Sequence, residues 1–391
     1  MKDVNFDAVI DRKNTNSLKY DFAKENNLPE DLLSMWIADM DFKAAPCVRE
    51  ELQKSIEHGI FGYSDTKEDY FNIVSAWFEK HFGWKPERQW LIKTPGVVYA
   101  LAMAVRTLTD KGDAVIIQPP VYYPFYNVIN NNDRKLIESP LVYKDGKYTI
   151  DFEDFESKVK ENKVKLFILC SPHNPICRVW TKQELQKLGE ICKKYGVYIV
   201  SDEIHCDFTW EGHEHTIFAK ACPDLIDRII VCTAASKTFN IAGLQVSNIW
   251  IPSDDIRARY EKEMAATGVT LVNQLGIVAT MAAYKGGEEW SRQCKEYIKG
   301  NLDYIRSFLK ENIPEVKLVE PEGTYFAWLD FTDLGLSVDE LNDLIVNKAK
   351  LWLDAGRIFG DIANQFQRFV LACPRENIVK AMAQLKTAIK G

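Results

Sequence analysis

Four short stretches carry side chains able to do covalent or acid–base chemistry, and each follows an apolar run. PPVYYPF offers Tyr122 and Tyr123, and SPHNP offers Asn174. SDEIH offers Asp202, Glu203 and His205, and AASKTFN offers Ser236 and Lys237. An aromatic ring, an amide, a carboxylate and a lysine together meet the needs of pyridoxal phosphate. The lysine amine supplies the Schiff base, and the aspartate pairs with the pyridinium nitrogen and keeps the electron sink protonated. An aromatic ring stacks on the pyridine face, and an amide hydrogen-bonds the ring hydroxyl. The phosphate needs backbone donors at a helix start, and TPGVVYALAM supplies a Gly-led turn opening a helical pattern.

These residues need a scaffold that sets them along one edge. The runs at 114–118, 165–170, 197–201 and 228–233 are short and β-branched or aromatic, which predicts buried strands. Between them lie helix-length segments. The one at 181–196 opens on Thr181 with Glu184 three residues on, and stops at Gly196. The alternation predicts an α/β domain on a mainly parallel sheet with helices on both faces, and such sheets bind ligands beyond the carboxyl ends of their strands. Near residue 285 the pattern changes. A Gly-Gly break in YKGGEEW precedes a long charged helical stretch at 290–312. Strand-like VKLVE, GTYFAWLDF and RFVLAC follow, with helical patterns at 338–349 and 376–390. The expected division is an arm and part of a small domain in 1–50, a large cofactor-binding domain in 51–285, and a small α+β domain in 286–391.

Composition narrows the class. The 391 residues are 46% hydrophobic and 27% charged, an ordinary globular mixture. With 49 Lys+Arg against 56 Asp+Glu the net charge is −7, and without a basic tract neither nucleic acid nor an anionic membrane is an expected partner. No apolar run approaches the roughly 18 residues of a spanning helix. The stretch MKDVNFDAVIDRKN is charged where a signal peptide needs its apolar core, and nine scattered cysteines form no CxxC pair. Reduced thiols in a cytoplasmic enzyme are expected.

The ordered series TPGVV, PPVYYPF, SPHNP, SDEIH and SKTFNIAGLQ, with MWIADMDF before it and RFVLACPR after it, resembles fold-type I pyridoxal-phosphate enzymes. Within them it is most similar to MalY/PatB-type C–S lyases, the cystathionine β-lyase/cysteine desulfhydrase group that includes cystalysin. The resemblance covers essentially the whole chain. It implies that Lys237 is the Schiff-base lysine and proton shuttle, that Asp202 pairs with the pyridine nitrogen, and that Asn174 bonds the 3′-oxygen. It implies that Tyr122 stacks on the ring and that Tyr123 faces the substrate; His205 reads either as a residue beside the cofactor or as a structural histidine. Gly96, Val97, Val98 and Ser236 would hold phosphate, joined by Tyr63 from the partner subunit of a homodimer. Arg368 would grip the substrate carboxylate with its planar fork, in preference to Arg357 and Arg375. The implied activity is β-elimination from cystathionine, cysteine or related S-substituted cysteines. The alternatives are an aminotransferase on the same scaffold and a regulatory, protein-binding role beside catalysis.

Three positions depart from the pattern. Cys177 stands where Asn-Pro-x-Gly-Arg has glycine, which strains the turn if it needs a positive φ. Val370 replaces the amide of Arg-x-Asn, and Gln245 stands where many aminotransferases place a phosphate-binding arginine. His213 and His215, with His205 and Cys206, invite a metal site, but no further ligand cluster follows; packing is the expected role and no metal is expected.

Overall fold

The computed structural model describes residues 4–391. Its centre is a seven-stranded sheet of β1 (Leu91–Thr94), β2 (Ala114–Ile117), β3 (Lys135–Glu138), β4 (Leu166–Cys170), β5 (Tyr198–Asp202), β6 (Ile229–Thr233) and β7 (Ser247–Trp250). The spatial order is β1-β7-β6-β5-β4-β2-β3. Only β7 runs antiparallel to its neighbours. Successive side chains of the central strands feed opposite cores: Ile116, Phe167 and Ile199 join one apolar cluster, whereas Val115, Ile168 and Val200 join the other. A strand covered on both faces has no polar side, which is why these strands read as unbroken apolar runs.

The helix expected at 181–196 spans Lys182–Tyr195. Its capping box on Thr181 and Glu184 is complete, and Gly196 closes it at φ 71°. A second, antiparallel sheet holds β8 (Lys317–Val319), β9 (Phe326–Asp330), β10 (Asp354–Ala355) and β11 (Phe366–Val370), in the order β8-β9-β11-β10. Helices Glu288–Asn312 and Arg375–Lys390 accompany it. The helical pattern at 338–349 resolves differently from expectation: an α-helix over Val338–Asp343 widens into a π-helix over Leu344–Lys348. Leu344, Ile345 and Val346 are all buried there. Three adjacent residues span more arc than one face of an ordinary helix covers.

The N-terminal arm runs against the second sheet. Leu33–Ser34 pairs in parallel with Leu351–Trp352, and the Val370 N–H donates to the Met35 carbonyl at 2.9 Å. That bond gives Val370 a backbone role in holding the arm. Among the described residues no helix is long and apolar enough to cross a membrane.

Candidate active site

The carboxyl ends of β4, β5 and β6 deliver Asn174, Asp202 and Lys237 to one cavity of about 260 Å³. Its wall also includes Gly96, Val97, Val98, Tyr122, His205, Ser236 and Gln245. Nine of the twelve residues named for the site from sequence therefore line this cavity directly, and Arg368 is tied to it through Asn174.

The helix Val97–Leu108 starts at the cavity. Gly96 caps it at φ 112°, a conformation open essentially to glycine, and no side chain caps the first turn. The first N–H groups of a helix have no internal partner, so this end offers donors and a positive dipole end to an anion. Ser236 adds a hydroxyl to the same wall.

Asp202 is buried, and its carboxylate accepts only the Ile204 N–H, at 3.2 Å, among the described residues. Burial pushes its pKa up to about 7; the Ile204 N–H and the charge of Lys237 oppose that rise, and Glu203 adds to it. A buried carboxyl lacking a cationic partner fits a ligand that brings a protonated ring nitrogen. Asn174 accepts from Arg368 Nη1 at 2.7 Å through Oδ1. Its NH2 makes no hydrogen bond among the described residues, which leaves a donor facing the cavity. His205 is buried, its pKa far below the ordinary value through burial and the nearby charges of Lys237 and Arg368. Its Nδ1 has no partner among the described residues. The free helix end, the lone carboxyl, the amide donor and the unpaired ring nitrogen all fit pyridoxal phosphate.

Lys237 sits on the short helix Ala235–Thr238 and donates to the Ala38 carbonyl at 2.7 Å. Burial lowers its pKa to about 8; Asp39 and Asp202 resist that fall, and Arg368 reinforces it. The amine is therefore easily made neutral, as a nucleophile or base must be.

Arg368 is 2% exposed. Besides Asn174 it reaches the Trp36 carbonyl at 3.0 Å and the carboxylate of Asp354, and it lies 4.3 Å from the centre of the Phe326 ring. Its Nε has no partner among the described residues. Of the rivals, Arg357 is exposed, and Arg375 is bonded to Asn301. Asp354 escaped the sequence reading. The signal was the register, because β10 pairs Asp354 directly with Arg368.

Two residues stand apart from the cavity wall. Tyr123 is 37% exposed, its ring 5.4 Å from that of Tyr122. Tyr63 is fully exposed and lines a separate groove with Phe61 and Leu271. Of the histidines of GHEHTIF, His215 is buried and His213 is exposed. His215 Nε2 pairs with buried Glu203 at 2.8 Å, and among the described residues no group of three ligand types could hold a metal. Cys177 takes the strained turn position at φ 61°. Its thiol accepts from the Thr324 hydroxyl at 3.2 Å, and burial pushes it up to about 12, so it stays protonated and inert.

A family model described as "Aminotransferase class I and II" matches residues 30–385. The chain is 41% identical to cystathionine beta-lyase PatB of Bacillus subtilis over 386 residues, covering 99% of this chain and 100% of PatB. It is 31% identical to protein MalY of Escherichia coli, covering 99% of each. Cystalysin from Treponema denticola, solved with pyridoxal 5′-phosphate, superposes with a TM-score of 0.95 at 40% identity, over 99% of this chain and 98% of that one. With likeness of this extent in both sequence and shape, the chain belongs to the class I and II aminotransferase family, in the branch that holds PatB, MalY and cystalysin.

Proposed function

We propose that the protein is a pyridoxal-phosphate-dependent carbon–sulfur β-lyase acting on cystathionine, cysteine or related S-substituted cysteines. One observation carries the reading: a partly buried lysine with its pKa lowered to about 8 shares a cavity with a buried carboxyl that lacks a cation. Gly96, Val97, Val98 and Ser236 would hold the phosphate, Asp202 the ring nitrogen and Asn174 the ring oxygen, with Tyr122 and His205 at the ring. When bound, the cofactor supplies an electron sink for negative charge at the substrate Cα. Arg368 orients the substrate through its carboxylate, and neutral Lys237 takes the Cα proton. The Cβ–S electron pair leaves with sulfur, which departs as a thiol. Contact with that sulfur is assigned to Tyr123, whose ring lies 5.4 Å from that of Tyr122. The released enamine takes up water and gives pyruvate and ammonia.

Amino transfer is the second reading, because it needs the same proton removal and differs only in where the proton returns. Cystathionine supplied without a keto acid decides between them. Sustained, equimolar pyruvate, ammonia and thiol are expected over many turnovers. One turnover that stalls and restarts on addition of a 2-keto acid would mean an aminotransferase.

We also infer a homodimer, with Tyr63 completing the partner's phosphate site. The supporting feature is the exposed run Ile60, Phe61 and Tyr63, at 67%, 60% and 102%, beside exposed Leu271. Tyr63→Phe should weaken cofactor binding about 10–100-fold, the range for a hydrogen bond to a charged group. A fully active monomer in light scattering would contradict the dimer. A cytoplasmic site fits nine free cysteines, of which eight are buried. The separate sheets support a division into domains at residues 50 and 285.

A further inference from the structure

The segment 36–41 has no helix or strand of its own, yet its backbone meets the reactive side chains. The Trp36 carbonyl accepts from Arg368 at 3.0 Å. The Ala38 carbonyl accepts from Lys237 at 2.7 Å and from the Tyr325 hydroxyl at 3.0 Å. Asn240, three residues beyond Lys237, brackets Met40 by accepting its N–H and donating to its carbonyl, both at 2.9 Å.

What holds the segment is a cluster of charges from the arm. Arg12 donates to Asp39 at 3.0 and 2.6 Å and to Asp41 at 2.7 Å. Lys19, wholly buried, donates to Asp41 at 2.8 Å and lies 3.6 Å from Asp39. Two cations and two carboxylates thus flank Ala38 and Met40. Arg12, Asp39 and Lys237 also border a second cavity of about 630 Å³. Lys19 and Asp41 are buried and Arg12 and Asp39 partly so; the buried part of such a cluster is a poor way to gain stability, because apolar residues of similar volume do as well. It is a good way to fix geometry.

We propose that Arg12 and Asp39 are positioning residues for Lys237, locking segment 36–41 so that the Ala38 carbonyl holds the amine at the mouth of the cofactor cavity while Asp39 presents a negative charge to it. The charged groups that act on the amine are Asp39 and Asp202, which favour its protonated form, and Arg368, which opposes it. Neutral His205 and the Tyr325 phenol complete its surroundings. Loss of the Asp39 charge therefore lowers the pKa of Lys237. The inference rests on Lys237 as the reacting lysine, and it holds whether elimination or amino transfer follows.

The test uses Asp39→Asn, Arg12→Met and Arg12→Lys in the full chain. In cofactor-stripped protein, the pH dependence of Lys237 acetylation by acetic anhydride, read by peptide mass spectrometry, reports the amine directly and needs no turnover. Asp39→Asn should lower its midpoint by at least about half a unit, a modest share of what a neighbouring charge does. In the holoenzyme, Asp39→Asn and Arg12→Met should each cut kcat about tenfold with KM within about twofold, and Arg12→Lys should restore most of it. If Arg12→Met fails to fold, Asp39→Asn and Arg12→Lys decide. A lowered melting temperature with an unchanged acetylation midpoint and unchanged kcat would overturn the proposal and leave the cluster a purely structural tie. Failure of the lyase reading would show instead as the wrong products, with the acetylation shift intact.

Discussion

Lys237→Ala is expected to abolish turnover while leaving the fold intact. Proton transfer by a positioned side chain contributes about 10²–10⁴-fold, and the loss of covalent attachment adds to that. The cavity should still take up the cofactor, because Gly96, Val97, Val98, Ser236 and Asp202 are untouched. Small primary amines added at high concentration should restore part of the rate, since they replace the missing group. Borohydride should fix the cofactor to the Lys237 peptide in the native protein and to none in the variant. A variant that kept more than about a tenth of native kcat would place the chemistry on another residue.

Arg368→Ala should do two kinds of damage, and a second variant separates them. Loss of the guanidinium removes the grip on the substrate carboxylate, worth about 2–5 kcal/mol in kcat/KM. It also strands Asp354, which is buried and has Arg368 as its cation, at a cost of about 3–5 kcal/mol in stability. Burial already raises the Asp354 pKa, with Arg368 holding it down, so removal of the arginine raises it further. The folded variant then keeps a proton that the unfolded chain has lost. Stability therefore falls as pH rises from the ordinary carboxylate range towards the raised value. The double variant Arg368→Ala/Asp354→Ala should recover much of the melting temperature and none of the kcat/KM. Recovery of both would mean that Arg368 serves only to neutralise Asp354.

The parts of this site that depend on side-chain type at strand ends were legible in the sequence. Lys237, Asp202 and Asn174 each follow a strand whose apolar run is unmistakable, and a parallel sheet leaves those ends on one edge. The cap of Gly96 was legible for the same reason, because a glycine before a helical pattern has few other uses. The acceptor for the Lys237 amine was not. It is a backbone carbonyl at Ala38, and a carbonyl has no signature in residue type. Asp354 was hidden differently. It is one acid among 56, and only the β10–β11 register sets it against Arg368. The charge cluster of Arg12, Lys19, Asp39 and Asp41 joins residues 20 to 30 apart through a stretch with no periodic element, where spacing carries no information.

The cavity wall is drawn from residues 38–247, whereas Arg368 and Asp354 lie far down the chain. At about 5–20 residues per second, the roughly 120 residues between Ser247 and Arg368 take on the order of ten seconds to synthesise. During that interval segment 36–41 lacks Arg368 and Ala372, the later residues to which its Trp36 carbonyl and Asp41 N–H are bonded. The grip on substrate is thus the last part of the site to leave the ribosome, after every residue of the phosphate cradle and after Lys237.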